Sequence, residues 1–277
     1  MSRVAIVVLN YLNYKDTIEC VNSALEMDYF ICGIVIVDNG SHNNSYLMLD
    51  KTYQETKKVH LISLKKNQGY ARGNNRGIIY AQKVLKADFV LVVNNDTVFI
   101  EKNYIDILLN NYKKGVGVIG SKILLKDGKE QSPMSVYLDF KDSIARYINM
   151  LSKKSGSCFD FIANEGELVQ ILHGCALLFT PDFFQEYRGF YKKTFLYGEE
   201  MILYLMCKCK TLRQVYVPET KIYHKEDQSS LMSFENDQEI INKYAFQSEK
   251  FILWWIVKSK VKQIFNLYFL KGIDYKC

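Results

Sequence analysis

Proline is scarce in this chain, three in 277 residues, and glycine stands at only 15. That excludes collagen-like repeats and linker-dominated architecture. No apolar run reaches the ~20 residues that span a bilayer as a helix; the longest late run is 251–257. C-x-x-C pairs are missing and the seven cysteines are an odd number. Cys207-Lys208-Cys209 is too tight and isolated for a zinc site, so reduced structural thiols are expected. Met1-Ser2-Arg3 leads directly into an apolar run at 4–9, without a signal-peptide pattern, and a cytosolic location is expected from that. No internal repeat is visible. What is present is a composition of 48% hydrophobic and 24% charged residues, which excludes a disordered chain. A chain of about this length buries a sizeable core, as one large domain or two small ones.

The formal charge of +6 is unevenly placed. From Lys250 to Cys277 there are six lysines and one aspartate, +5, which leaves about +1 for residues 1–249. A nucleic-acid binder spreads basic charge over a face. A nearly neutral body with one basic appendage excludes that class and leaves nucleic acid off the list of partners.

Short β-branched apolar runs at 4–9, 33–37, 59–64 and 89–93 read as buried strands. Segments 16–27, 45–58 and 77–85 read as helices between them. Such alternation predicts βαβ units, a mostly parallel sheet covered on both faces, and ligands at the carboxyl ends of the strands. Polar clusters follow each strand at that end: Asn10-Tyr11, Asp38-Asn39-Gly40-Ser41, the segment 67–75, and Asn94-Asn95-Asp96-Thr97. Four clusters at one end of one sheet define one site. The second half is less regular. Residues 126–160 read as a polar excursion, 168–179 as strand-like, 197–210 as a helix entered through Gly198-Glu199-Glu200, and 214–217 and 221–224 as short extended pieces.

Each cluster has a plain reading beside the chemical one. Asn-Gly after Asp38 is a turn signal, and Asp38 is equally a carboxylate at a strand end, able to accept from a nucleobase or ribose. The plain reading of segment 67–77 is a flexible surface loop, and its arginines and side-chain amides directly after a buried strand argue against that. Its glycines, spaced by four, permit close backbone approach, and Arg72 and Arg76 offer planar donor forks to phosphate. Asp96 suits a hard divalent cation held mainly by substrate phosphates. Glu199-Glu200 complements a helix N-terminus, and it also supplies a general base whose pKa the neighbouring carboxylate raises. His224 gains interest only if the fold brings it beside Asp96. On the helix read over 251–271, Leu253, Trp254, Val257, Val261, Ile264, Phe265 and Tyr268 fall on one face. Lys258, Ser259, Lys262, Gln263 and Asn266 fall opposite. That pattern fits a core-packing helix, and paired tryptophans with flanking lysines also fit an interfacial helix on anionic lipid.

These motifs, in this order and spacing over residues 3–225, resemble the family 2 glycosyltransferases, inverting enzymes of the GT-A fold. The flavour is that of the rhamnosyltransferase-like branch that builds bacterial surface polysaccharides. The resemblance implies a Rossmann-like, mostly parallel α/β sheet in a domain over 1–228. Its nucleotide-sugar half is about 1–125 and its acceptor half about 126–228, followed by a basic amphipathic tail over 229–277. It implies that Asp38 contacts the nucleobase, Arg72 helps hold the nucleotide and Asn94 faces the ribose. Asn10, Tyr11, Asn67, Gly69 and Asn95 line the donor. Asp96 and His224 bind Mg2+ or Mn2+, and Glu200, with Glu199 as the alternative, is the base. His173-Gly174-Cys175 stands near the acceptor.

The implied partners are a nucleoside-diphosphate sugar, either dTDP-rhamnose or a UDP-hexose, and a polyprenyl-diphosphate-linked saccharide at the inner leaflet of a bacterial plasma membrane. Asn94-Asn95-Asp96 replaces the family's D-x-D, and Glu200 its aspartate. The weakened D-x-D leaves a non-catalytic scaffold open. Another nucleotide-sugar-processing enzyme is also open, although the expected glycine-rich loop after the first strand is replaced by Asn10-Tyr11-Leu12-Asn13.

Overall fold

The computed structural model describes residues 2–138, 167–225 and 238–273. The chain opens with β1 (Val4–Asn10), α1 (Tyr14–Leu25), β2 (Gly33–Asp38), α2 (Ser45–Tyr53), β3 (Val59–Ser63) and α3 (Gly69–Lys83). It continues through β4 (Phe89–Asn94), β5 (Thr97–Phe99), α4 (Tyr104–Asn110), β6 (Val116–Leu124), β7 (Met134–Leu138), β8 (Glu167–Ile171) and β9 (Ala176–Phe179). The last elements are α5 (Pro181–Glu186), α6 (Glu199–Cys209), β10 (Arg213–His224) and α7 (Gln238–Ile273).

Eight strands form one sheet in the order β3-β2-β1-β4-β9-β6-β10-β5, and β7 and β8 form a separate pair. β3, β2, β1 and β4 are mutually parallel, β6 and β10 are parallel, and β9 and β5 run antiparallel to their neighbours. The mostly parallel α/β sheet expected from the alternation is therefore present. The order reverses direction at β1, which pairs with β2 on one side and β4 on the other. A crevice at the carboxyl ends of the strands is the usual ligand position at such a reversal.

Strand β1 has no polar residue before its end because both of its faces are covered. Ala5 and Val7 enter the core layer shared with α3, α6 and α7, whereas Val4, Ile6 and Val8 enter the layer shared with α1, α2 and α4.

Four sequence expectations need correction. The segment 67–77 is not a loop beyond its first residues, since α3 begins at Gly69. Gly73 and Gly77 serve helix–sheet packing: a Cβ at 73 would lie 2.5 Å from Leu9 Cδ1, and one at 77 would lie 2.3 Å from Val7 Cγ1. The stretch 168–179 is two strands in different sheets, broken at His173-Gly174. The pieces at 214–217 and 221–224 are one strand, β10, whose register shifts between Val217 and Lys221. Pro218 lies in that interval and has no N–H for the ladder. Part of the 126–160 excursion is strand β7; residues 139–160 lie outside the described residues, as do 229–237 and 274–277 of the tail.

The tail begins its helix earlier than expected and packs on the domain. Ala245, Ser248, Ile252, Trp255, Ile256 and Ser259 are buried. The stripe turned inward is thus 252/255/256/259, and Ser259, expected on the polar side, is inside. Trp254 and Val257 face out, 49% and 41% exposed. Among the described residues no helix is long and apolar enough to cross a membrane.

Candidate active site

Strand register places the polar strand ends side by side. Asn10 pairs with Asp38, and Leu9 with Asn94. Asn10 is fully buried and donates from Nδ2 to Asp38 Oδ2 at 2.7 Å; its Oδ1 accepts from Thr17 Oγ1 at 2.8 Å. Asp38 Oδ1 accepts from the Ser41 backbone N–H at 3.0 Å. Asp38 is only 1% exposed, and both of its oxygens are engaged, so it locks the β1 and β2 ends together at the crevice floor. Tyr11 stands half-buried at the mouth, edge-on to His42. Leu12, with φ of 63°, turns the chain out of β1, and such strained non-glycine backbone concentrates at working sites.

Two residues expected to line the donor are occupied elsewhere. Asn95 is buried and donates to Thr17 Oγ1 and Asn13 O, both at 3.2 Å, which ties the loop after β4 to α1. Asn67 Oδ1 accepts from the Gly69 N–H at 2.8 Å and from Asn39 Nδ2 at 2.9 Å, which sets the entry of α3. Gly69, with φ of 80°, passes so close to Phe195 that a Cβ would lie 2.3 Å from its carbonyl oxygen. Arg72 stands on the outward face of α3, exposed, donating from Nε to Lys192 O at 2.7 Å. Asn94, half-buried at the end of β4, keeps its side-chain amide uncommitted among the described residues.

Antiparallel pairing sets His224 opposite Thr97, and this brings the end of β10 to Asp96. His224 Nε2 lies 3.3 Å from Asp96 Oδ1, with both side chains over nine-tenths buried. The geometry is not that of a hydrogen bond, and Asp96 Oδ1 has no hydrogen-bond partner. His224 Nδ1 lies 2.7 Å from Gln131 Oε1. Where Nδ1–H donates to that oxygen and Nε2 carries no proton, the ring turns a lone pair toward a carboxylate oxygen. Two acceptors at 3.3 Å repel unless positive charge lies between them. A carboxylate oxygen and an imidazole nitrogen presented this way fit a divalent cation. Among the described residues no group of three His, Cys, Asp or Glu gathers as ligands, so these two would make only part of a shell.

Opposite stands the start of α6. Tyr197 and Gly198 both have positive φ, 69° and 79°, and turn the chain so that Glu199 and Glu200 open the helix. The two carboxyls differ. Glu199 is 6% exposed and its Oε1 has no hydrogen-bond partner. Burial, then the neighbouring Glu200 charge, pushes its pKa up to about 8. Glu200 is half-buried and lies over Gly174, where a Cβ would sit 2.5 Å from Glu200 Oε1. Only glycine at 174 leaves that carboxylate its place.

Gly174 lies beneath Glu200, and the next residue, Cys175, accepts at its carbonyl from the Asn94 N–H at 2.9 Å, two residues before Asp96. The Tyr70 hydroxyl donates to Gly174 O at 2.7 Å, and its pKa is raised by burial and then by Glu200 and Glu199. The Cys175 thiol is raised by burial, then by Asp96 and Glu200. One site therefore joins Asp96, His224 and Glu200 across the sheet.

Sequence reasoning did not single out Gln131, Tyr70 or Thr17. Gln131 sits in a polar excursion without a pattern, and Tyr70 and Thr17 resemble ordinary helix residues. His173 was visible only as part of His173-Gly174-Cys175; its ring lies 5.7 Å from that of His224.

The family model for "Glycosyl transferase family 2" matches residues 4–188. Glycosyltransferase GlyG of Streptococcus pneumoniae serotype 4 is 29% identical over 105 residues, which are 38% of this chain and 33% of that protein. Low-salt glycan biosynthesis hexosyltransferase Agl10 of Haloferax volcanii is 22% identical over 197 residues, 71% of this chain and 59% of that protein. The match thus spans a third to three fifths of these relatives' length. Among solved structures, the mannosyltransferase PcManGT of Pyrobaculum calidifontis, in complex with GDP-Man and Mn2+, superposes with a TM-score of 0.57 at 12% identity, covering 94% of this chain and 73% of that one. GalNAc-T7 with UDP, GalNAc and Mn2+ superposes with a TM-score of 0.59 at 10% identity, covering 81% and 44%. These similarities establish the GT-A fold, and the match over 4–188, more than half the sequence, establishes the family. The chain belongs to glycosyl transferase family 2.

Proposed function

We propose that the chain is an inverting glycosyltransferase that moves a sugar from a nucleoside-diphosphate sugar to an acceptor hydroxyl. The observation that carries this reading is the orphaned, buried Asp96 Oδ1, facing His224 Nε2 at 3.3 Å on one side of a strand-end crevice that has Glu200 on the other. Asp96 and His224 would hold Mg2+ or Mn2+. That cation, when bound, supplies charge neutralisation for a departing diphosphate. Both solved relatives described above contain Mn2+ with a nucleotide or nucleotide sugar.

The chain's own groups divide the remaining work. Asn94 offers its free amide to the ribose, and Asn10 and Asp38 form the floor beneath the base. Glu199 keeps its proton up to about pH 8 and so stays neutral beside its partner. Glu200, the accessible member of the pair, takes the proton of the acceptor hydroxyl as that oxygen attacks the anomeric carbon. A single displacement inverts the centre and needs no covalent enzyme intermediate.

The finer reading is a dTDP-rhamnose or UDP-hexose donor and a polyprenyl-diphosphate-linked saccharide acceptor. That places the enzyme in bacterial capsule or surface-polysaccharide synthesis, peripheral on the cytoplasmic face of the plasma membrane. The outward Trp254 and Val257 beside lysines support a membrane-facing tail.

The test pairs two variants in one assay of nucleoside diphosphate release. Glu200→Gln is expected to lower kcat about 10²–10⁴-fold with the donor Kd unchanged. Asp96→Ala is expected to abolish the Mn2+-dependent rise in melting temperature that the donor produces. Wild-type turnover in Glu200→Gln moves the base elsewhere, and wild-type turnover in Asp96→Ala refutes the metal assignment.

A further inference from the structure

On the outward side of α3 lies a groove of about 620 Å³, walled by α3, by the 187–193 segment and by α7. It is distinct from the strand-end crevice, and its chemistry is one-sided. Arg72, Arg76, Arg188, Lys192 and Lys193 line it, and all five are exposed. None of them, nor Lys258 next to them, is in an ion pair among the described residues. Unpaired cations gathered in a concavity create a field that attracts anions.

The floor is aromatic. Tyr191 meets Trp255 edge-on at 5.7 Å and stacks on Trp254 at 6.3 Å. Lys258 Nζ lies 4.7 Å from the Trp254 ring and 4.5 Å from that of Trp255. Trp255 is 97% buried, yet its indole N–H has no acceptor. That N–H has almost no surface of its own open to the groove, so an anion there would meet the cations rather than the indole.

Ile79 in the lining, and Trp254 and Val257 on the adjoining outer face of α7, are apolar and 37%, 49% and 41% exposed. A soluble anion needs the cations and gains nothing from these side chains. A bilayer surface uses both, with headgroup phosphates for the cations and the interfacial zone for tryptophan and valine.

We propose that this groove and the adjoining outer face of α7 form a docking surface for anionic lipid, with a headgroup phosphate seated among Arg72, Arg188 and Lys193 above Trp255. The proposal deepens the peripheral placement of the enzyme suggested above, and it removes Arg72 from the nucleotide site to the lipid site.

Of the chain's two tryptophans, Trp254 is exposed on this face and Trp255 lies beneath it, so tryptophan emission reports on it. Full-length protein is titrated, with no nucleotide sugar present, with vesicles of phosphatidylcholine alone or of phosphatidylcholine and phosphatidylglycerol in equal parts. The expected result is a blue-shifted, brighter emission with the anionic vesicles only. Arg188→Glu combined with Lys193→Glu should then need at least about tenfold more anionic lipid for the same change, since each surface cation is worth roughly fivefold in partitioning. Unchanged circular dichroism and an unchanged donor-induced thermal shift would show that the double variant is folded. Should it fail to fold, Trp254→Glu at an exposed position must weaken binding in a sedimentation assay.

Equal response to both vesicle types would overturn the proposal, because insertion would then need no anion. No response to anionic vesicles, wild-type binding by the charge-reversed variant, or a response to inorganic pyrophosphate without vesicle binding would overturn it as well. Loss of transfer in the Glu200 and Asp96 assays leaves this result untouched, so the two readings fail separately.

Discussion

Glu199 and Glu200 are adjacent in sequence and nearly opposite in physics. The helix start turns Glu199 into the core beneath it and leaves Glu200 over Gly174. With its pKa moved from the usual 4.5 to about 8, folded Glu199 holds a proton that the unfolded chain has released. The stability linked to this group is therefore whole below about pH 4.5 and declines as pH rises toward 8. Glu199→Gln keeps the shape of the protonated acid and removes the titration. Its melting temperature should be close to wild type at pH 5 and exceed it by on the order of 10 °C at pH 8.5. A difference that is the same at both pH values would show that Glu199 does not carry a buried proton. At this scale the sequence made the acidic pair visible but could not divide it, because the division depends on a backbone turn with positive φ at Tyr197 as well as Gly198. Likewise Asp96 and His224 are 128 positions apart, and only the pairing of β10 with β5 makes them neighbours.

At the scale of elements, α3 shows how one sequence signal supports two structures. Gly69, Gly73 and Gly77 at intervals of four were read as room for close backbone approach; on the helix Gly69 meets Phe195, and Gly73 and Gly77 make a smooth stripe. That stripe lets α3 sit directly on β1 and β2, against Leu9, Val7 and Val37. Gly77→Val adds three carbons where the first already meets Val7 Cγ1 at 2.3 Å. Val7 is fully buried and β-branched, so it has little room to rotate away. The expected loss is about 1–3 kcal/mol, read as a lower urea midpoint with unchanged slope. Replacing glycine in a helix would by itself favour folding by up to ~1 kcal/mol, so a midpoint equal to or above wild type would mean that packing is looser than this. Strands β1, β2 and β4 were legible because strands covered on both faces must be continuous apolar runs; β3, at the sheet edge, is half-buried and its run is broken by His60. Strand β10 was not legible, because Pro218 interrupts its ladder and hid one strand as two.

Across the whole molecule, the tail helix decides how the two layers end. Residues 238–259 pack along α6 and the 187–198 segment: Ile252 meets position 198, Ser248 donates to Leu196 O, and Tyr244 stacks on Phe195 at 4.3 Å. The basic appendage inferred from charge is, over these residues, also a wall of the core that holds the turn into Glu199 and Glu200. The sequence showed an amphipathic helix, but two stripes competed for the inward position, and only the packing partner selects between them. The neighbouring tryptophans separate the two roles. Trp255, 3% exposed against Tyr187 and Tyr191, should cost about 3–5 kcal/mol when changed to Ala. Trp254, half in solvent, should cost under about 1 kcal/mol by the same change. Chemical denaturation of the two variants measures both. Equal losses would mean that α7 is held by its outer stripe too. A negligible loss at Trp255 would mean that the tail is an appendage after all, and the site's second wall would then have to stand without it.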